Sequence, residues 1–231
     1  MKTLWLIGII FLSISVPCYA EIELQQLYGL REKEALQDFI QKTENEDRIT
    51  SSDIQKLKML GIAYHNLATL KVKDASRKAV AYLQKVYSLS PNDNEVQAYL
   101  GSATTMAGRD SWNVLTKIGT VSKGIKMIDD AVVRMPDSIV IRMVRANNSL
   151  DLPDLFKRKE IAKKDFQQLE ILITKSPVKV EPDIKAEILY QLGMFYRREN
   201  NDLMAKEYFK KAINASPNSQ WGKKSGGSLQ P

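Results

Sequence analysis

The sequence predicts an all-α fold, a solenoid of repeated helical hairpins containing about nine helices. Three observations predict it. Beyond residue 20 no stretch alternates apolar and polar residues for long, whereas apolar residues recur at i, i+3, i+4 and i+7 almost throughout, the signature of one helix face. The same order of small and large residues returns along the chain, and the copies end near prolines. The composition, 44% hydrophobic and 26% charged over 231 residues, belongs to a folded chain and excludes a disordered or collagen-like one.

In chain order, Lys2 precedes an apolar run from Leu4 to Val16, too short for the roughly 20 residues of a bilayer span. Pro17 interrupts the run and Ala20 supplies the small residue that precedes a cleavage site. Residues 1–20 are therefore expected to be a signal peptide cleaved after Ala20, giving a periplasmic or secreted chain with no membrane-spanning segment. Residues 21–50 are expected to form an N-terminal capping helix, with Leu24 to Thr43 amphipathic and Ala35 and Phe39 at core positions.

Residues 51–219 divide into four helix pairs with long loops between paired helices. The fourth is the clearest: Leu189, Leu192-Gly193 and Tyr196 on one helix, then Ala205, Phe209 and Ala212 on the next, and Pro217 as the stop. The first has Leu57, Leu60-Gly61 and Tyr64 followed by Ala79, Leu83, Val86 and Pro91. The second has Leu100-Gly101 followed by Gly124, Ile128, Ala131 and Pro136, with eleven additional residues before Gly124. The third is weaker, running from Ala146 to Ala162, Phe166 and Leu169. Residues 220–231, rich in Gly, Lys and Ser, read as a flexible tail.

The spacing of the fourth pair resembles the tetratricopeptide (TPR) repeat, W-x2-L-G-x2-Y then A-x3-F then P, with Leu189 in place of the tryptophan. The resemblance implies an exported bacterial TPR protein whose concave face binds peptides or protein partners through positions on the first helix of each pair. In the third and fourth pairs these positions hold Met143, Asn147, Tyr190, Met194 and Arg197. Adaptable methionines, amides and cations suit an extended peptide. His65 falls on the same face of the first pair. Lys58 matches one position of the carboxylate clamp found in some family members, but Ile62 departs from it and argues against that subtype. The eleven-residue insertion adds Arg109, Asp110 and Trp112, an aromatic among hydrogen-bonding groups in what reads as a loop.

Catalytic chemistry finds little support. The single cysteine, Cys18, and single histidine, His65, exclude a disulfide framework and Cys- or His-rich metal centres within one chain. No phosphate-binding glycine loop, zinc-protease helix or serine elbow occurs beyond the leader. The sequence points to a non-enzymatic scaffold of the bacterial cell envelope with no cofactor; a small-ligand-binding accessory to a transport or envelope system is the alternative reading.

The net charge of +7 is uneven: residues 21–50 hold 4 basic and 8 acidic side chains, residues 51–231 hold 29 and 19. A cationic repeat body preceded by an acidic helix favours acidic protein segments as partners. It does not suggest nucleic acid, since no basic cluster is interleaved with aromatics, and the run Lys157-Arg158-Lys159 reads as a solvated helix face.

Overall fold

A computed structural model describes residues 24, 26–45, 53–175 and 180–230; the expected signal peptide at 1–20 lies outside them. The described residues are helical with no strand. A capping helix α1 (Lys33–Asn45) precedes four hairpins: α2 (Ile54–Thr69) with α3 (Ala75–Leu89), α4 (Asn94–Arg109) with α5 (Val114–Arg134), α6 (Ile139–Asp151) with α7 (Lys159–Lys175), and α8 (Pro182–Arg198) with α9 (Asp202–Ala215). A last helix, α10 (Gln220–Ser228), closes the stack. Five of these helices start where a side chain caps them. Asp93, Asn113, Ser138, Asn201 and Ser219 each accept a bond from a backbone N–H of the first turn.

The repeating small and large residues do the packing work that their spacing predicts. Leu60, Leu83, Leu100, Ile128, Phe166 and Phe209 are all buried to within 1% of complete exclusion. At α4 and α5 the backbones themselves touch, because a Cβ on Gly124 would collide with the Gly101 carbonyl oxygen. The fourth hairpin is spaced differently: a Cβ on Gly193 would run into the ring of Phe209. Two apolar clusters result. One runs from Leu27 to Val144 and the other from Met143 to Ala212, so they meet on α6.

Four features differ from the sequence reading. The long intra-repeat loops are short turns, at 70–74, 110–113, 152–158 and 199–201, and the additional residues lengthen helices instead. Thus α5 has 21 residues, because Asn113 caps it and Val121 packs against Gly108 on α4. Left-handed residues make the tight turns possible: Lys71 and Asp74 in the first, Lys157 in the third and Asn200 in the fourth.

Second, the capping helix breaks at residues 30–32; Leu36 and Ile40 are buried while Ala35 is exposed, one position away from the anticipated core set. Third, the tail is not flexible over 220–228. Ser219 caps α10, and Trp221, 4% exposed, packs on Tyr190 with ring centroids 5.3 Å apart.

Fourth, the basic run at 157–159 is not simply a solvated face. Arg158 holds Asp129 at 2.6 Å, beside Arg142 and Arg145, which share the fully buried Asp165. A carboxylate removed from water needs such paired donors.

Candidate functional site

The first helices of the four hairpins line a concave face, and a cavity of about 460 Å³ opens on it. Its far wall is the segment that precedes α1. Residues 26–29 are helical, the chain then turns, and this piece lies across the concave side of the first two hairpins. Asn66 donates to the Leu27 and Leu30 carbonyls at 2.8 and 3.2 Å. Tyr28 stacks on Tyr99 and donates its hydroxyl to Glu95. Arg31 reaches Glu187 on α8 at 3.2 Å, and Gln220 on α10 donates to the Gly29 carbonyl. The N-terminal segment therefore ties the first hairpins to the last.

A polar relay runs beneath it. The Asn66 amide nitrogen is committed to Leu27 and Leu30, so its oxygen faces His65 Nδ1 at 3.2 Å and accepts a proton from it. His65 Nε2 is left as the acceptor for the Ser102 hydroxyl at 2.9 Å. Ser102 in turn lies 3.4 Å from Asn148 Nδ2, which also donates to Thr105. This requires a neutral imidazole. Burial supplies it, pushing the His65 pKa down to about 4 with Arg31 adding in the same direction and Asn66 opposing. His65 is thus a fixed structural hinge of the network, packed edge-on against Tyr99.

The buried Glu187 carboxyl is displaced the other way. Burial raises its pKa above the usual carboxylate range, while Arg31 and Lys224 hold it down only in part. Five cations, Arg31, Arg109, Lys117, Arg198 and Lys224, and two acids, Asp151 and Glu187, line the cavity, so its field is positive.

Five of the sequence-predicted residues come together there and three do not. Met143, Asn147, Tyr190 and Met194 line the cavity, with Arg109 at its rim. Asn147 and Asn148 both line the cavity, and Asn148 also donates to Thr105 in the relay. Arg197 turns away: it lies 4.7 Å over the Phe209 ring and donates to the Ser228 carbonyl. Asp110 accepts from Arg109 and from Ser76 at 2.8 Å on the other side of the turn. Burial pushes the Asp110 pKa up, but those two donors outweigh it and hold it low. Trp112 is 92% exposed and touches no part of the cavity. Tyr28, Arg31 and Lys224 were missed; the apolar cluster Leu24, Leu27, Tyr28 and Leu30 was the local sign for the first two, and the Gly- and Ser-rich stretch around Lys224 gave none.

Residues 186–219, nearly all of α8 and α9 with the turn that follows, match the tetratricopeptide repeat family. No match to a curated protein is found. Among solved structures, the crystal structure of a thermophilic TPR protein of Thermus thermophilus is similar, with a TM-score of 0.67 and 14% identity over 91% of this chain and 98% of that chain. At that identity the likeness speaks for the fold. The chain is a helical solenoid of tetratricopeptide fold whose last hairpin carries a tetratricopeptide repeat.

Proposed function

We propose that the protein is a non-enzymatic scaffold of the bacterial cell envelope, exported by its leader, that binds a segment of a protein partner in the part of the concave face lined by α6 and α8. One observation carries the reading. The first two hairpins already hold a stretch of chain, residues 26–31, by its carbonyls and by aromatic stacking, and the cavity beyond it is open. A groove that recognises main chain in this way needs only a second segment to extend it. The surplus of cations around the cavity favours an acidic segment.

The test is crosslinking capture from envelope extracts with the chain from Glu21 and with an Asn147→Ala, Met194→Glu double variant. Both positions line the cavity and neither is fully buried, so the fold is retained. Loss of one specific protein from the variant supports the reading. Unchanged capture counts against the groove.

The cavity volume supports a second reading, a small ligand held between α6, α8 and the N-terminal segment, since about 460 Å³ falls in the ~300–1,000 Å³ range of such sites. Native mass spectrometry of protein purified from expressing cells separates the two. A co-purifying small molecule of constant mass favours the second reading, and none is expected under the first.

A further inference from the structure

The edge where paired helices turn differs from the rest of the surface. The four turns lie side by side there: Arg109 donates to the Ala68 carbonyl, Arg198 to the Leu150 carbonyl, and Lys159 pairs with Glu199 at 2.6 Å. Leu70, Trp112, Val114, Leu115, Ile118 and Leu155 are all exposed on it, Leu115 at 82%. Lys71, Lys73 and Lys157 are exposed between them. In the stretch 111–128 Lys123 is exposed, whereas Lys117 lines the cavity and Lys126 pairs with Asp130 at 2.8 Å. Of the acids on these first three turns, Asp74 is paired with Arg77 and Asp110 with Arg109, which leaves Asp154.

The apolar side chains sit on a projection. One side of the first turns of α5 packs on Gly108 of α4 through Lys117 and Val121, while the other is uncovered: a Cβ on Gly119 would meet nothing within 4 Å. At ~1.5 Å per residue the helical residues 114–118 rise roughly 7.5 Å, within the ~5–10 Å to which an interfacial helix sinks into a bilayer. We propose that this edge docks on an anionic lipid surface, with Trp112, Val114 and Leu115 entering the boundary between headgroups and acyl chains and Lys71, Lys73 and Lys157 meeting lipid phosphates. A protein partner would need a recess shaped to this projection, whereas a bilayer deforms around it. A tryptophan with an apolar body and a polar N–H belongs at that depth. The edge adjoins the concave groove, sharing Leu70, Arg109 and Lys117 with its lining, whereas Trp112, Val114 and Leu115 lie outside it.

The test is co-sedimentation of the chain from Glu21, which holds every described residue, with vesicles of phosphatidylcholine alone or mixed with phosphatidylglycerol, at low and high salt. Binding to the mixed vesicles, weakened by salt and accompanied by a blue shift of Trp112 emission, is expected; a Trp112→Phe variant identifies the signal against Trp221. The Trp112→Ser, Leu115→Ser pair should lower partitioning on the order of a hundredfold. Lys71→Ala and Lys73→Ala should each lower it about fivefold. Both apolar positions are exposed, so circular dichroism should not change. The proposal is overturned by absence of binding to the mixed vesicles or by binding that survives the double serine variant. It is equally overturned if the lipid-free protein self-associates through this edge, seen as concentration-dependent sedimentation that the same pair abolishes.

Discussion

The two halves of the solenoid follow one packing rule but use their concave faces differently. In the first two hairpins the face is filled by the protein's own residues 26–31, and α4 and α5 approach until Gly101 and Gly124 bring backbone against backbone. In the last two hairpins the face stays open, lined by Met143, Asn147 and Met194, and the close approach at Gly193 is to a side chain, as it is at Gly61 in the first hairpin, so backbone contact is particular to the second. The difference teaches that a repeat specifies a hairpin, not a binding surface. What lies on the inner face is decided by whichever segment reaches it.

The largest expected effect tests the tight half. Gly124→Val forces two backbones apart and should destabilise the fold by about 3 kcal/mol or more. Gly193→Ala should cost less, because the Phe209 ring can tilt. Urea unfolding followed by circular dichroism ranks them; equal midpoints would erase the contrast between backbone and side-chain contact.

Next comes the latch that joins the halves. Arg31→Met leaves the Glu187 carboxyl buried without its partner and should cost roughly 2 kcal/mol. That is below the cost for a fully buried pair, because Arg31 keeps 16% of its exposure and Glu187 can take up a proton. Amide hydrogen exchange should then rise selectively at residues 26–31. If protection there is unchanged, Asn66 and the Tyr28–Tyr99 stack hold the segment without the latch.

The smallest effect near neutrality is in pH, growing only as the solution becomes acid. His65 has a folded pKa lowered from 6.5 to about 4, so between those values the unfolded chain binds a proton that the native one refuses. Its contribution is fully present above pH 6.5 and is lost as pH falls, at about 1.4 kcal/mol per pH unit at most. Glu187, with its pKa raised, works in the opposite sense and loses stability as pH rises through that folded value. Stability against pH for the wild type and for His65→Gln separates them: the variant should lose the decline toward acid. A decline identical in both would remove His65 as its source.

Much of the fold was legible because its information is local. Gly61 and Leu83 lie within one hairpin, and Gly193 and Phe209 within another, so their spacing along the chain already states which residues meet. The inner-face positions transferred for the same reason, which is why Met143, Asn147, Tyr190 and Met194 came together. Arg197 failed because α10, read as a tail, competes for it through Ser228. Trp112 failed because the insertion became helix and carried it outward.

The sequence by itself determined the helical period, the hairpin repeat, the small and large residues that let paired helices cross, and the absence of recognisable catalytic sets. Only the tertiary structure decided that residues 26–31 cross the groove, that Arg31 finds Glu187 across 156 positions, and that exposed apolar residues from separate turns share one edge. Helix periodicity and hairpin packing are set by residues a few turns apart. Contacts between distant segments depend on the superhelical path of the whole stack, which no local pattern encodes.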